Sequence, residues 1–267
     1  MKSVRISSAA ALAMVILSAC GNGKNADESV KDMDVDFRSY SIDAIVKNTA
    51  DTVSADSLRL WHVSGDYVLP ERIGSNDITA LRDSLMALAE VSVTNGVISP
   101  AISKNYDVTD LDVRKTSAPS TYRNSLSVDY LTSRIIVWEN YTYGYEVYMA
   151  HGIRTFTYVN YSIADNKILT LADLMRPGYE KSLLEEIRNQ LVDRIGDNLF
   201  DVEEITIPTD FRIRGAGIDF IFPAATIAPY SEGEIVVNLS VMDLDGLLTN
   251  KALDLILCTN EDEDTEY

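Results

Sequence analysis

At 267 residues with 46% hydrophobic side chains, the chain is long enough to bury a sizeable core, as one large or two modest domains. It carries 41 acidic against 23 basic side chains, a formal net charge of −18, which repels phosphate backbones and so argues against nucleic acid as a partner while favouring cationic ones. Only two histidines, His62 and His151, are present, and neither sits at zinc-type spacing, so no metal or other cofactor is expected.

At the N-terminus, Lys2 and Arg5 precede an apolar stretch from Ala9 to Leu17 that is too short to span a bilayer, and small residues lead into Cys20. Leu17-Ser18-Ala19-Cys20 resembles the bacterial lipobox. The resemblance implies cleavage before Cys20, a diacylglycerol on its sulfur and a lipid-anchored protein of the cell envelope. Gly21, rather than an acidic residue, follows Cys20, which implies sorting to the outer membrane in a cell with two membranes. Removal of residues 1–20 takes away Lys2 and Arg5 and no acid, leaving a net charge of −20. Cys258 is then the one remaining thiol, expected as a small buried hydrophobe, and no internal disulfide can form.

Residues 21–36 are small, polar and acidic and read as a flexible linker; residues 259–267 form an acidic tail. Tyr40, Ile42, Ala44 and Val46 alternate with polar residues, predicting a half-buried strand. Leu58 to Val63 and Tyr67 to Leu69 flank Ser64-Gly65-Asp66, which predicts a hairpin with His62 as a structural residue in its first arm. Asn76 or Asp77 caps a predicted helix with Ile78, Leu81, Leu85 and Leu88 on one face, ending before Asn95-Gly96. From Thr121 to Ile163, β-branched and aromatic residues predict three or four long antiparallel strands.

Asp165-Asn166-Lys167 reads as a turn, and Thr170 as the cap of a short helix that stops at Pro177-Gly178. A longer helix follows, with Leu183, Leu184, Ile187, Leu191 and Ile195 on its apolar face. Strands are expected over 217–222 and 234–241, before a helical turn near 243–248. The order of elements predicts an α+β fold: two small subdomains, antiparallel sheets with helices packed on one face, divided as 37–164 and 165–258.

Three stretches carry a family resemblance. They are Ala150-His151-Gly152 followed by Phe156-Thr157-Tyr158-Val159-Asn160-Tyr161; Lys167-Ile168-Leu169-Thr170-Leu171-Ala172-Asp173-Leu174-Met175; and Ile227-Ala228-Pro229-Tyr230-Ser231-Glu232-Gly233 before the last strand. In this order they resemble the extracytoplasmic domain pair of RsiV-type anti-sigma factors and the non-catalytic region of PdaC-type peptidoglycan deacetylases. The resemblance covers roughly residues 37–250 and implies a PdaC-like domain over 37–164 and an RsiV-like domain over 165–258. The chain departs from the pattern at Tyr148-Met149, where those families carry glycines, and at Asn166, where they carry one glycine. In RsiV-type proteins the domain recognises lysozyme, and the deacetylase chemistry sits in a domain this chain lacks. The resemblance therefore implies binding in the envelope rather than catalysis.

The candidate contact residues are aromatic. Between Trp138 and Tyr161 fall eight of the 22 aromatics, and Tyr141, Tyr143 and Tyr145 alternate, so one strand face presents all three. Such rings suit a cell-wall glycan or a basic secreted protein such as lysozyme; the plainer reading is cross-strand packing. His151 joins the candidate binding residues as an imidazole in a turn, against the plainer reading that its ring pins the turn by bonding a neighbouring carbonyl. Tyr230 is expected to fill a gap between strand and helix. No Gly-x-Ser-x-Gly elbow is present, and no catalytic residue is assigned. The alternative to a non-enzymatic binding module is a peptidoglycan- or glycan-processing hydrolase using carboxylates and His151.

Overall fold

A computed structural model describes residues 34–48, 60–101, 106–107, 120–146 and 150–257. The leader with Cys20, most of the linker, Tyr148-Met149, Cys258 and the acidic tail lie outside the described residues. The chain divides into two compact units, one built from Asp34–Ser127 with Glu139–Phe156 and one from Val128–Trp138 with Thr157–Tyr267. The sequence reading places one boundary at 164/165, whereas these units divide within three long strands. Among the described residues no helix is long and apolar enough to cross a membrane.

The first unit contains β1 (Val35–Asn48), β2 (Leu60–Ile73), α1 (Thr79–Leu88), β3 (Val91–Thr94), β4 (Val97–Pro100) and β5 (Tyr106–Asp107). To these it adds parts of β6 (Ser120–Leu131), β7 (Ile135–Tyr145) and β8 (Ile153–Ser162). The predicted alternation holds, since Tyr40 and Ile42 of β1 and Val63, Tyr67 and Leu69 of β2 are buried on one face. Burying a side chain of this size stabilises by roughly 1.5–3 kcal/mol.

The expected hairpin at Ser64-Gly65-Asp66 does not form. These residues lie inside β2, paired with Asp43, Ile42 and Ser41 of the antiparallel β1. β2 also pairs with β6 in parallel, from Trp61 opposite Ser120 to Tyr67 opposite Leu126, the exception to the antiparallel pattern expected. Gly65 serves that approach: a Cβ there would stand 1.6 Å from the Asn124 carbonyl oxygen. A glycine inside a strand marks close backbone approach as readily as a turn, and the local sequence cannot separate the two.

At α1, the Asp77 carboxylate accepts the Thr79 amide at 3.1 Å and the Thr79 hydroxyl at 2.7 Å, satisfying an amide at the helix start. Ile78, Leu81 and Leu85 are buried. Asn95 and Gly96, with φ of 51° and 76°, form the two-residue turn between β3 and β4, a hairpin the sequence reading stopped short of.

The second unit holds the remaining parts of β6 to β8, then β9 (Lys167–Ile168), α2 (Leu171–Leu174), α3 (Glu180–Ile195), β10 (Phe211–Arg214), β11 (Gly217–Phe222), β12 (Ile235–Ser240) and α4 (Asn250–Leu257). Asn166, at φ 50°, makes the tight turn between β8 and β9. Thr170 caps α2 as expected, with the Asp173 carboxylate accepting the Thr170 amide at 2.9 Å. Strands β10, β11 and β12 form an antiparallel sheet. Leu183, Ile187 and Leu191 of α3 join Ile213, Phe220 and Val237 of that sheet in one buried cluster.

The sequence reading also missed α4 and β10. The described part of the apolar run, Leu253 to Leu257, belongs to α4, which buries Ala252, Leu255 and Ile256. β10 is the other, and the Asn160 side chain holds it: its amide donates to the Phe211 carbonyl at 2.8 Å, and its carbonyl accepts the Ile213 amide at 2.8 Å. Asn160 is buried and takes the place of a neighbouring strand's backbone at the β10 edge. Tyr230, expected to fill a gap, is exposed at the 3-10 turn Tyr230–Glu232.

Candidate functional site

Tyr141, Tyr143 and Tyr145 lie in β7, each half-buried. The Tyr141 ring packs against Phe156 of β8, with centroids 5.1 Å apart and planes tilted by 51°. The Tyr143 ring covers Gly152, where an added Cβ would stand 2.4 Å from ring carbons. Both contacts belong to one face of the first unit, and alternation along β8 puts exposed Arg154 on that face between Gly152 and Phe156. The cross-strand packing expected as the plainer reading is therefore present, yet it leaves the rings partly open. Rings fixed by neighbours lose little freedom when a ligand stacks on them.

His151 is exposed just before β8, and its Nδ1 lies 3.3 Å from the Gly152 carbonyl oxygen, the turn-pinning arrangement. The other histidine, His62, places Nε2 2.6 Å from an Asp43 carboxylate oxygen across β1 and β2.

The first unit also holds a half-buried phenol. Tyr122 of β6 donates its hydroxyl to Glu90 at 2.7 Å, and Glu90 follows α1 in a left-handed conformation, φ 50°. Burial first, and then the Glu90 carboxylate, push the Tyr122 hydroxyl well above its ordinary value. Burial, Asp66 and Glu90 do the same to Tyr67. Both phenols are thereby held protonated, and Tyr122 serves as a hydrogen-bond donor to Glu90.

In the second unit the notable charge is Arg212 of β10. Its Nε donates to Asp219 at 2.8 Å, and its Nη1 faces Asp129 at 3.4 Å and the Tyr158 hydroxyl at 3.1 Å. The guanidinium also stacks over the Tyr158 ring, 4.9 Å from its centroid, and Asn238 donates to the other Asp219 oxygen at 2.6 Å. Desolvation works against the charged guanidinium, but Asp219, Tyr158 and Asp129 together raise its pKa further. The three charged side chains are only 11–17% exposed, so the cluster is largely withdrawn from solvent.

Asp210, immediately before β10, differs. Burial raises its carboxyl above the usual carboxylate range, opposed by a hydrogen bond from the Tyr158 amide. It lines an open groove of about 350 Å³ between residues 204–210 and 221–227. A second groove of about 470 Å³ runs along α3, with Leu184, Arg188 and Val192 on one side and Val202 and Glu203 on the other. Among the described residues no group of three or more His, Cys, Asp or Glu side chains is arranged to hold a metal ion.

Sequence reasoning selected the tyrosine face but passed over Asp210, Arg212 and Asn160. Asn160 was legible as an interruption of an apolar-aromatic strand; Asp210 and Arg212 carry no local signal, because their neighbours come from distant strands.

Comparison with known proteins agrees with the fold. No curated protein matches the chain. A DUF3298-family protein of Bacteroides fragilis is 15% identical, with a TM-score of 0.59 over 84% of this chain and 98% of that one. A DUF3298 family protein of Pseudomonas aeruginosa is 16% identical, with a TM-score of 0.54 over 81% and 96%. Residues 172–241, a stretch of the second unit, match the family model DUF3298, described as a protein of unknown function, and the chain shares the α+β fold of the DUF3298 family structures.

Proposed function

We propose that this chain is a lipid-anchored cell-envelope protein that binds, without catalysis, a cell-wall glycan or a basic secreted protein of the lysozyme type. The observation that carries the reading is the β7–β8 aromatic face: Tyr141 held by Phe156, Tyr143 held over Gly152, both half-open beside exposed Arg154. Rings fixed in advance bind with little loss of side-chain freedom, and their apolar faces with polar edges suit sugar stacking or a protein anchor. The acidic balance of the chain steers a basic partner toward it. The leader pattern ending at Cys20 and the resemblance to RsiV-type domains support the location and the binding role.

The test is capture of lysozyme and of isolated peptidoglycan by the full chain at physiological salt, beside a variant with Tyr141, Tyr143 and Tyr145 changed to alanine. Capture lost in a still-folded variant supports the reading. Capture that persists in the variant and vanishes as salt is raised indicates charge alone. Cys20→Ser is expected to move the protein from the membrane to the soluble fraction and abolish lipid labelling; retained labelling would refute the anchor.

A second reading is favoured by one observation. A carboxyl raised by burial, as at Asp210, is what a general acid in glycan hydrolysis requires. That reading predicts oligosaccharide release that Asp210→Asn or His151→Ala abolishes, and unchanged release in both variants removes it.

A further inference from the structure

Among the described residues, β8 is the edge of the seven-stranded sheet over most of its length, because its outer neighbour β9 pairs only with Tyr161 and Ser162. Main-chain groups of alternate residues in a strand point to the same side, so a bond made at one residue fixes the side for the rest. Asn160 accepts the Leu169 amide at 2.7 Å on the side away from β7, and the Tyr158 amide donates to the Asp210 carboxyl. Arg154 and Phe156 therefore direct their amides and carbonyls away from β7 as well. Neither has a main-chain hydrogen bond on that side among the described residues.

This open stretch has the chemistry of a paired strand. Ile153, Thr155 and Phe156 are β-branched or aromatic, and neither proline nor lysine interrupts them. Ile153 is 53% exposed, an apolar side chain left largely in solvent. Arg154 is the only charged residue from Ile153 to Ser162, so the edge carries a cation on a chain whose net charge is −18. Arg154 and Phe156 project from one face, where the Phe156 ring packs against Tyr141. The segment is complementary to itself. In an antiparallel pair centred on Thr155, Arg154 of each copy stands opposite Phe156 of the other, and each outward amide meets a carbonyl of the other copy. The guanidinium then reaches the copy's aromatic ring, and each Arg154 is drawn to the acidic body of the other copy.

We infer that two copies of this chain associate through β8, edge to edge and antiparallel about Thr155, joining their sheets. The two-fold axis runs through the sheet, so both copies present the Tyr141–Phe156 face on the same side and the two aromatic faces become one. The seam is short, below the area of a stable interface, so the dimer is weak and concentration-dependent. The pairing does not rest on any ligand of that face, and its test reads association alone.

The test uses the full chain with Cys20→Ser, which removes the lipid site from the oxidation. In the inferred register the two copies of Thr155 form a non-hydrogen-bonded pair with Cα atoms about 4.5 Å apart, within reach of a disulfide. The two copies of Ile153 stand about 14 Å apart along the strands. Thr155→Cys is expected to give a disulfide-linked dimer under mild oxidation, and Ile153→Cys is not. Cys258 is present in both variants, so a link through it appears in both. Sedimentation should show dimers that increase with concentration, and Arg154→Glu should weaken them by about tenfold at low salt. Hydrogen exchange of the Arg154 and Phe156 amides should slow between micromolar and millimolar protein. Equal cross-linking of the two cysteine variants, no cross-link beyond that of Cys258, or a monomer at millimolar concentration would each overturn the inference.

Discussion

The Tyr143 ring lies directly over Gly152, so that a methyl group at residue 152 would stand 2.4 Å from ring carbons. The glycine is the floor on which one of the three candidate tyrosines rests. Gly152→Ala is expected to displace the ring and cost about 1 kcal/mol, modest because a side chain, not backbone, must move. The Gly152→Ala cost should largely vanish in a Tyr143→Ala background, a coupling that urea unfolding of the four proteins measures. Independent, additive costs would show that the ring is not seated there in solution.

Gly65 presents a harder constraint. Its hypothetical Cβ meets the Asn124 carbonyl oxygen at 1.6 Å, and both atoms belong to paired strands. No rotamer change relieves that contact, so Gly65→Ala must separate β2 from β6 locally and should destabilise by about 3 kcal/mol or more. A melting temperature within a few degrees of the parent would contradict the parallel pairing at this position.

The Arg212 network predicts a large loss on removal of its cation. Arg212→Met leaves Asp129 and Asp219, each under one-fifth exposed, without the cation they share, and should cost about 3 kcal/mol. Adding Asp129→Asn and Asp219→Asn to that variant should recover most of the loss. Failure of the triple variant to recover would mean that Arg212 acts through packing on Tyr158 rather than through charge.

Titration separates two classes of aspartate. At Asp173, desolvation opposes ionisation, but the Lys167 ammonium and the Thr170 amide and hydroxyl outweigh it and hold the carboxyl below its ordinary value. At Asp165, the Lys251 ammonium is the leading cause of the same depression. Both contribute stability that is complete above the unfolded value near 4 and is lost as pH falls through the lower folded value. Asp210 has the opposite sign, because its folded carboxyl binds a proton more tightly than the unfolded one. Its protonated form favours the fold at low pH, and that contribution disappears as pH rises from about 4 through the raised folded value. Asp210→Asn should therefore be more stable than the parent at neutral pH and gain nothing at pH 3. Unfolding free energies at a series of pH values check this, and a variant less stable than the parent at neutral pH would refute the buried position of the carboxyl.

What the sequence determined by itself was local. Alternation at Tyr40 and Ile42, helical spacing at Leu183, Ile187 and Leu191, the Thr170 to Asp173 capping box and the Asn166 turn each arise from residues within a few positions of one another, so propensity and periodicity were enough to read them. Tertiary structure decided what depended on distant neighbours. Gly65 reads equally as a turn or as close approach, and only β6 arriving alongside β2 in parallel makes it the second. Asn160 reads as a polar residue in an aromatic strand until β10 lies beside it and takes both of its hydrogen bonds. Arg212 is one of many surface-type charges in the sequence. It becomes the centre of a network because β6, β8 and β11 bring Asp129, Tyr158 and Asp219 to it, and burial there makes each missing partner costly.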